Sequence, residues 1–178
     1  WRKEKNMGLI HIYTGDGKGK TSAAVGLAVR MAGRGGRVVV ARFLKTENSG
    51  EVAGLRQIKG VTVIPLERTF GFLWNMTEEE KKEAADYYHM IWEQAENAAK
   101  EGADLLILDE MMAAWRNGLV DHERILSLLD HRPECLEIVM TGRDVPEELM
   151  ERADYITEMR KIRHPFDKGI SARKGIEY

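Results

Sequence analysis

The fold of this 178-residue chain is decided by the stretch Thr14-Gly15-Asp16-Gly17-Lys18-Gly19-Lys20-Thr21. A β-rich run at residues 9–14 leads into it, and a helix-forming segment at residues 22–30 follows it. A strand, a glycine-rich loop and a helix in this order are typical of a phosphate-binding P-loop. Glycines let the backbone turn its N–H groups toward an anion, and the helix N-terminus adds a favourable dipole. The stretch therefore predicts a nucleotide-binding α/β domain.

The polar residues of the loop have separate expected roles. Lys20 is predicted to contact phosphate oxygens as a point charge, and Thr21 to place its hydroxyl on Mg²⁺. Further nucleotide contacts are predicted for Gly15, Asp16, Gly17, Lys18, Gly19 and Ser22. Thr14 stands where the usual spacing G-x-x-x-x-G-K-[ST] has glycine, so the loop is one residue tight. The alternative is a glycine-rich βα turn with incidental lysines.

Six β-rich runs alternate with segments of helical period, and several runs are apolar throughout, as doubly covered strands are. They lie at residues 9–14, 37–44, 61–66, 104–108, 136–141 and 155–159. This pattern predicts one α/β domain over residues 1–178, with a mostly parallel six-stranded sheet and helices on both faces. Residues 1–7 are interpreted as an N-terminal extension and residues 160–178 as an extended, basic C-terminal tail. Thr77 and Glu80 form a capping box that opens the clearest helix.

Composition excludes several classes of function. The chain has 27 Lys and Arg against 29 Asp and Glu, a net charge of −2, which argues against a protein that coats nucleic acid. No apolar stretch approaches the roughly 18 residues of a membrane span. Its single cysteine, Cys135, fits a reducing compartment and is expected to be a partly buried, inert thiol. We expect a cytoplasmic protein with no nucleic-acid or membrane partner.

Charged residues follow two of the predicted strands at the sheet edge where open α/β folds bind ligands. Asp109 and Glu110 end the fourth strand and are predicted to coordinate Mg²⁺ or water. Arg143 follows the fifth strand, and two interpretations stay open for it. It reaches a phosphate, or it is solvated in a loop where Asp144 caps a helix that begins near Val145.

Several motifs occur together in one order: GDGKGKT (15–21), GFLW (71–74), LDE (108–110), TGR (141–143), HPFDKGI (164–170) and GIEY (175–178). Jointly they resemble the P-loop type of ATP:corrinoid adenosyltransferase, over nearly the whole chain. The resemblance implies that the cobalt of a reduced corrinoid attacks the ribose 5′ carbon of ATP and that triphosphate leaves. It implies catalytic roles for Lys20, Glu110 and Arg143, with Arg30 also near the triphosphate, and Mg²⁺ or Mn²⁺ on Thr21, Asp109 and Glu110.

The same resemblance assigns Phe72 and Trp74 to the corrinoid. In the family this segment packs beneath the corrin ring and excludes the lower axial ligand of cobalt, which makes the metal easier to reduce. From composition alone these aromatics are a core or helix-packing cluster, and that alternative stays open. Met111, Met112 and Trp115 are predicted to be core. A homodimer and a flavoprotein reductant are further expectations from the family.

Other functions use the same motifs. A small-molecule P-loop kinase would yield ADP, and a non-catalytic, ATP-switched corrinoid-binding protein would yield no product. The basic tail also has two interpretations. It is a solvated terminus, or it closes over the nucleotide or a neighbouring subunit.

Overall fold

The computed structural model describes residues 7–70 and 76–177. Its strands are Ile10–Thr14 (β1), Val38–Arg42 (β2), Val61–Val63 (β3), Leu105–Asp109 (β4), Glu137–Thr141 (β5) and Tyr155–Glu158 (β6). They form one six-stranded sheet in the order β3-β2-β4-β5-β1-β6, and every neighbouring pair is parallel. The predicted α/β class and its six strands are confirmed.

Helices cover both faces of this sheet, as predicted. They are Lys20–Gly33 (α1), Gly50–Leu55 (α2), Glu78–Lys100 (α3), Met111–Arg116 (α4), His122–His131 (α5) and Glu147–Met150 (α6). Successive side chains of β4 lie on opposite faces of the sheet. Leu106 and Leu108 belong to the core beneath α3, α4 and α5, whereas Leu105 and Ile107 pack with α1 and α2. Strands with two buried faces must be apolar throughout, which explains the continuous hydrophobic runs.

The longest of these helices, α3, begins at its predicted capping box. Thr77 Oγ1 accepts a hydrogen bond from the Glu80 backbone N–H at 3.2 Å, and the Glu80 carboxylate accepts one from the Thr77 N–H at 2.7 Å. Its buried face carries Tyr87, Tyr88 and Trp92. No helix in residues 7–70 and 76–177, α3 included, combines the length and apolar character that crossing a membrane requires.

Three sequence-based expectations are wrong in detail. Cys135 is exposed rather than partly buried, because it lies in the connection that leads into β5. Asp144 caps no helix, since α6 begins at Glu147 after an N-cap at Pro146, and Asp144 itself adopts a positive φ of 53°. The tail is not extended throughout: it contains a turn of 3₁₀ helix at Pro165–Lys168. Met111, Met112 and Trp115 are buried core residues, as predicted.

Candidate functional site

The strand order brings the predicted site segments to one edge of the sheet. Strands β4, β5 and β1 are neighbours, and the carboxyl ends of parallel strands lie at the same edge. The loops that follow them, together with the tail, surround a cavity of about 640 Å³. It is lined by Asp16, Gly17, Lys18, Gly19, Lys20, Thr21, Ser22, Val25, Lys45, Ser49, Gly50, Glu51, Glu110, Arg143, His164, Gly175, Ile176 and Glu177.

The glycine loop is shaped by contact with the chain that follows β6. A Cβ added to Gly17 would lie 2.4 Å from the carbonyl oxygen of Met159, and one added to Gly15 would lie 2.5 Å from it. The Gly17 N–H donates to that same oxygen at 2.6 Å. Thr14 is still part of β1, where its carbonyl accepts from the Met159 N–H at 2.8 Å. The tight spacing thus follows from strand pairing that continues up to the loop.

Lys20, the first residue of α1, is buried over this loop. Its Nζ donates to the carbonyl oxygens of Gly15 at 2.7 Å and Gly17 at 2.9 Å. Burial and the nearby positive charge of Arg143 lower the pKa of Lys20. Among the described residues no carboxylate forms an ion pair with it, so the ammonium group is available to an anion in the cavity.

Asp109 is the most deeply buried acid of the site, with 1% of its surface exposed. Its Oδ1 accepts hydrogen bonds from the hydroxyls of Thr21 at 2.9 Å and Thr141 at 2.6 Å. Its Oδ2 lies 3.1 Å from Lys45 Nζ, but the contact lacks hydrogen-bond geometry and Oδ2 has no hydrogen-bond partner. The Thr21 hydroxyl and the Asp109 carboxylate therefore form a corner in which Oδ2 lies against the Lys45 ammonium group but accepts no hydrogen bond.

Glu110 lies beside this corner in a left-handed conformation, with φ 59° and ψ 29°. That conformation costs a residue other than glycine about 1–2 kcal/mol. It is held by Thr141, whose Oγ1 accepts from the Glu110 N–H at 3.0 Å. Burial, followed by the adjacent charge of Asp109, raises the pKa of the Glu110 carboxyl. The strained residue makes the turn from β4 into α4 at the cavity wall.

The oxygen atoms of this corner suit a divalent ion that arrives with a nucleotide. Within residues 7–70 and 76–177, no three His, Cys, Asp or Glu side chains converge as a metal cage. Mg²⁺ is typically held by one or two carboxylates together with substrate phosphates, and it keeps several waters. Thr21, Asp109, whose Oδ2 accepts no hydrogen bond, and Glu110 match that kind of donor set.

The tail closes over the loop within the same chain. Lys18 Nζ donates to the carbonyl oxygen of Ile176 at 2.5 Å and lies 3.3 Å from Glu177 Oε1. Asp16 Oδ1 accepts from the Lys161 backbone N–H at 3.0 Å. Of the two interpretations of the tail, the structure favours the one in which it covers the predicted nucleotide site.

The two predicted arginines lie in different places relative to the cavity. Arg143 lines the cavity with an exposed side chain, while its backbone carbonyl accepts from Arg116 Nη1. Arg30 lies in the last turn of α1, exposed and outside the cavity lining, because three helical turns carry it away from the loop. The structure does not bring Arg30 together with the other predicted residues.

The predicted corrinoid residues Phe72 and Trp74 lie outside the described residues. Just before them, Phe70 packs against α3, with ring centroids 5.5 Å from Tyr87 and 5.7 Å from Tyr88. The Arg68 guanidinium lies 5.1 Å above the Phe70 ring. The described part of this aromatic segment therefore contributes to the core.

Two features of the site were not predicted from the sequence. They are Lys45 and the Thr141 hydroxyl, which bonds to both Asp109 and Glu110. Lys45 Nζ donates to the Thr21 hydroxyl at 3.3 Å. A signal for it exists in the sequence, since Lys45 follows β2 by three residues and thus lies near the same sheet edge. Using that signal requires knowing that β2 is next to β4, which the sequence pattern does not state.

The chain is similar to known corrinoid adenosyltransferases over nearly its whole length. The family model described as ATP:corrinoid adenosyltransferase BtuR/CobO/CobP matches residues 6–178. The corrinoid adenosyltransferase of Escherichia coli (strain K12) is 34% identical over 177 residues, covering 98% of this chain and 88% of the relative. Corrinoid adenosyltransferase CobA of Salmonella typhimurium (strain LT2) is 32% identical over 177 residues, with the same 98% and 88% coverage.

A solved structure supports the fold independently. EssC (ATPases 2 and 3) from Geobacillus thermodenitrificans superposes with a TM-score of 0.52 at 15% identity. The match covers 97% of this chain and 35% of that chain. At this level of identity, the likeness shows the fold alone.

Proposed function

Since the chain belongs to the ATP:corrinoid adenosyltransferase family, we propose that it transfers the 5′-deoxyadenosyl group of ATP to the reduced cobalt of a corrinoid. Family membership makes it a transferase whose substrates are ATP and a corrinoid. In the proposed reaction the cobalt donates its electron pair to the ribose 5′ carbon. The cobalt's pair forms the cobalt–carbon bond, the bond from that carbon to the triphosphate oxygen breaks, and inorganic triphosphate leaves with the electron pair of the broken bond.

Lys20 and Arg143 line the same cavity as the glycine loop, which supports the release of triphosphate in this proposal. A departing triphosphate gains negative charge, and preorganised cations at that position stabilise it. Lys20 is held in place by two loop carbonyls, so little reorganisation is needed when the charge develops. No side chain has to remove a proton, because the attacking atom is the cobalt of the substrate.

We assign the divalent ion, Mg²⁺ or Mn²⁺, to Thr21, Asp109 and Glu110. When bound there it would supply positive charge beside the phosphate oxygens. Thr141 holds Asp109 and Glu110 in position, because its hydroxyl donates to the Asp109 carboxylate and accepts from the Glu110 N–H. The tail is held to the loop by Lys18 and Asp16, and its last described residues, 175–177, line the same cavity.

The corrinoid side of the proposal rests on Phe72 and Trp74, which are assigned to the lower face of the ring from the family resemblance. We also propose a homodimer and a flavoprotein electron donor. Exposed apolar side chains on the edge strand β6 support the dimer: Tyr155 is 51% exposed and Ile156 is 48% exposed. Edge strands with such side chains are prone to pair with another chain.

An anaerobic incubation with MgATP and chemically reduced cobalamin tests the reaction. We expect the light-sensitive spectrum of adenosylcobalamin together with inorganic triphosphate in the phosphorus NMR spectrum. Both products should be lost in Lys20→Ala and retained in Lys59→Ala, since Lys59 is exposed in a turn outside the cavity. ADP without a cobalt–carbon bond would instead indicate a kinase, and the absence of any product would indicate an ATP-switched binding protein.

A further inference from the structure

A lysine ammonium group lies at the corner that the proposed function assigns to a divalent ion. Lys45 Nζ is 3.1 Å from Asp109 Oδ2 and 3.3 Å from the Thr21 hydroxyl. Thr21 and Asp109 are two of the three side chains whose oxygens are expected to bind the metal. Only 23% of the Lys45 side chain is exposed, so the contact is shielded from bulk water. The Lys45 ammonium group thus partly neutralises the corner formed by Thr21 and Asp109.

The position of Lys45 is fixed by the loop that carries it. Arg42, which is 1% exposed, donates from Nη1 to the Thr46 carbonyl at 2.8 Å and from Nη2 to Glu47 Oε1 at 2.5 Å. Glu47 also pairs with Arg56 at 2.8 Å. The buried Arg42 side chain, which precedes Lys45, thus bonds to the two residues that follow Lys45 and restrains the backbone that carries the lysine.

The two residues before Lys45 are also held in place, by backbone N–H bonds to β4 and to α3. The Phe43 N–H donates to the Asp109 carbonyl at 2.9 Å, which ties the loop to β4. The Leu44 N–H donates to the Tyr88 hydroxyl at 3.2 Å, and Leu44 adopts a positive φ of 52°. A strained residue held by specific contacts next to Lys45 indicates that the loop geometry is maintained for a purpose.

We propose that Lys45 is a resident cation that keeps free divalent ions out of the Thr21–Asp109 corner and gives way only when the ion arrives bound to nucleotide. This inference rests on the proposed function, which assigns the same corner to Mg²⁺ or Mn²⁺. A divalent ion and the Lys45 ammonium group cannot both lie against Asp109 Oδ2 without strong repulsion at this distance. Lys45 also lines the cavity, so its displaced ammonium group stays within reach of the triphosphate and adds to the charge already supplied by Lys20.

A titration of the protein with Mn²⁺ in the absence of nucleotide tests the proposal. The EPR signal of free Mn²⁺ gives the unbound concentration and thus the affinity. The wild-type protein should bind Mn²⁺ weakly, and Lys45→Met should bind it more tightly by at least about tenfold, because a unit charge next to the ion has been removed. Lys45→Arg should behave like the wild type, since it keeps the charge. Lys59→Met removes a lysine charge from an exposed turn and should leave the affinity unchanged.

The measurement uses neither ATP nor corrinoid, so its result is independent of whether the transfer reaction occurs. Unchanged Mn²⁺ affinity in Lys45→Met would overturn the proposal, as would equal tightening in Lys45→Arg. The double variant Lys45→Met/Asp109→Asn should lose the gained affinity, and tightening that survives it would place the ion elsewhere and overturn the proposal as well. Circular dichroism of each variant shows whether it is folded.

Discussion

Replacing Thr141 by valine isolates the hydroxyl that organises the acidic corner. Thr141 is fully buried and valine has nearly the same shape, so the packing of the side chain changes little. The variant loses the hydrogen bond to Asp109 Oδ1, which measures 2.6 Å, and the bond from the Glu110 N–H, which measures 3.0 Å. The change therefore removes two polar contacts without making a cavity.

The expected loss of stability follows from these two contacts. A hydrogen bond to a charged group contributes about 1.5–3 kcal/mol, and a buried N–H left without a partner costs about 1–3 kcal/mol. We therefore expect Thr141→Val to lower the free energy of unfolding by about 3 kcal/mol. For a domain of this size each kcal/mol corresponds to roughly 2–4 °C, so the melting temperature should fall by about 10 °C.

Urea denaturation followed by circular dichroism measures this difference. Thr141→Ser is the matched control, since it keeps the hydroxyl and should lose only about 1 kcal/mol for the missing methyl group. Because the Glu110 backbone is held in its strained conformation by the same hydroxyl, Thr141→Val should also lower the rate of adenosyl transfer, whereas Thr141→Ser should retain it. A loss in Thr141→Val no larger than that in Thr141→Ser would refute the reasoning.

Two further predictions concern the loop and the tail. Gly17→Ala should weaken MgATP binding by about tenfold or more in calorimetry, because the added Cβ would lie 2.4 Å from the Met159 carbonyl oxygen. Gly26→Ala is the control, since open space surrounds its added Cβ and binding should stay intact. Equal affinities of the two variants would contradict the steric argument. The Arg173 side chain lowers the pKa of Glu177 to about 2, so the Glu177 contacts should be lost only as the pH falls through about 2, well below the ordinary value of 4.5. A carboxyl NMR titration checks this value, and Arg173→Ala should move the pKa of Glu177 back toward 4.5; an unchanged value would show that Arg173 is not the cause.

The parts of the site that are contiguous in sequence were predictable. The glycine loop with Lys20 and Thr21, and the pair Asp109 and Glu110, each combine a local motif with an apolar strand just before it. A motif of this kind fixes both the residue types and their place at the carboxyl end of a strand. The alternation of strand and helix fixed the α/β class for the same reason, because it depends only on local periodicity.

The parts that depend on strand order were not predictable. Lys45 reaches Asp109 because β2 lies beside β4, and Thr141 reaches it because β5 lies on the other side of β4. Arg30 shows the reverse case: it is only nine residues from Thr21, but the regular rise of α1 places it outside the cavity lining. Proximity in sequence is a poor guide once a helix intervenes.

The position of β1 in the sheet also bears on how the protein is made. Although β1 comes first along the chain, its neighbours are β5 and β6, and the loop that follows it is held by residues near the opposite end, as in the contact between Lys18 and Ile176, 158 positions apart. During synthesis, β2, β3 and β4 can associate early, whereas β1 has no partner until the last two strands leave the ribosome. Long-range pairing of this kind slows folding. The nucleotide loop therefore takes its final shape only once β1 has paired with β5 and β6.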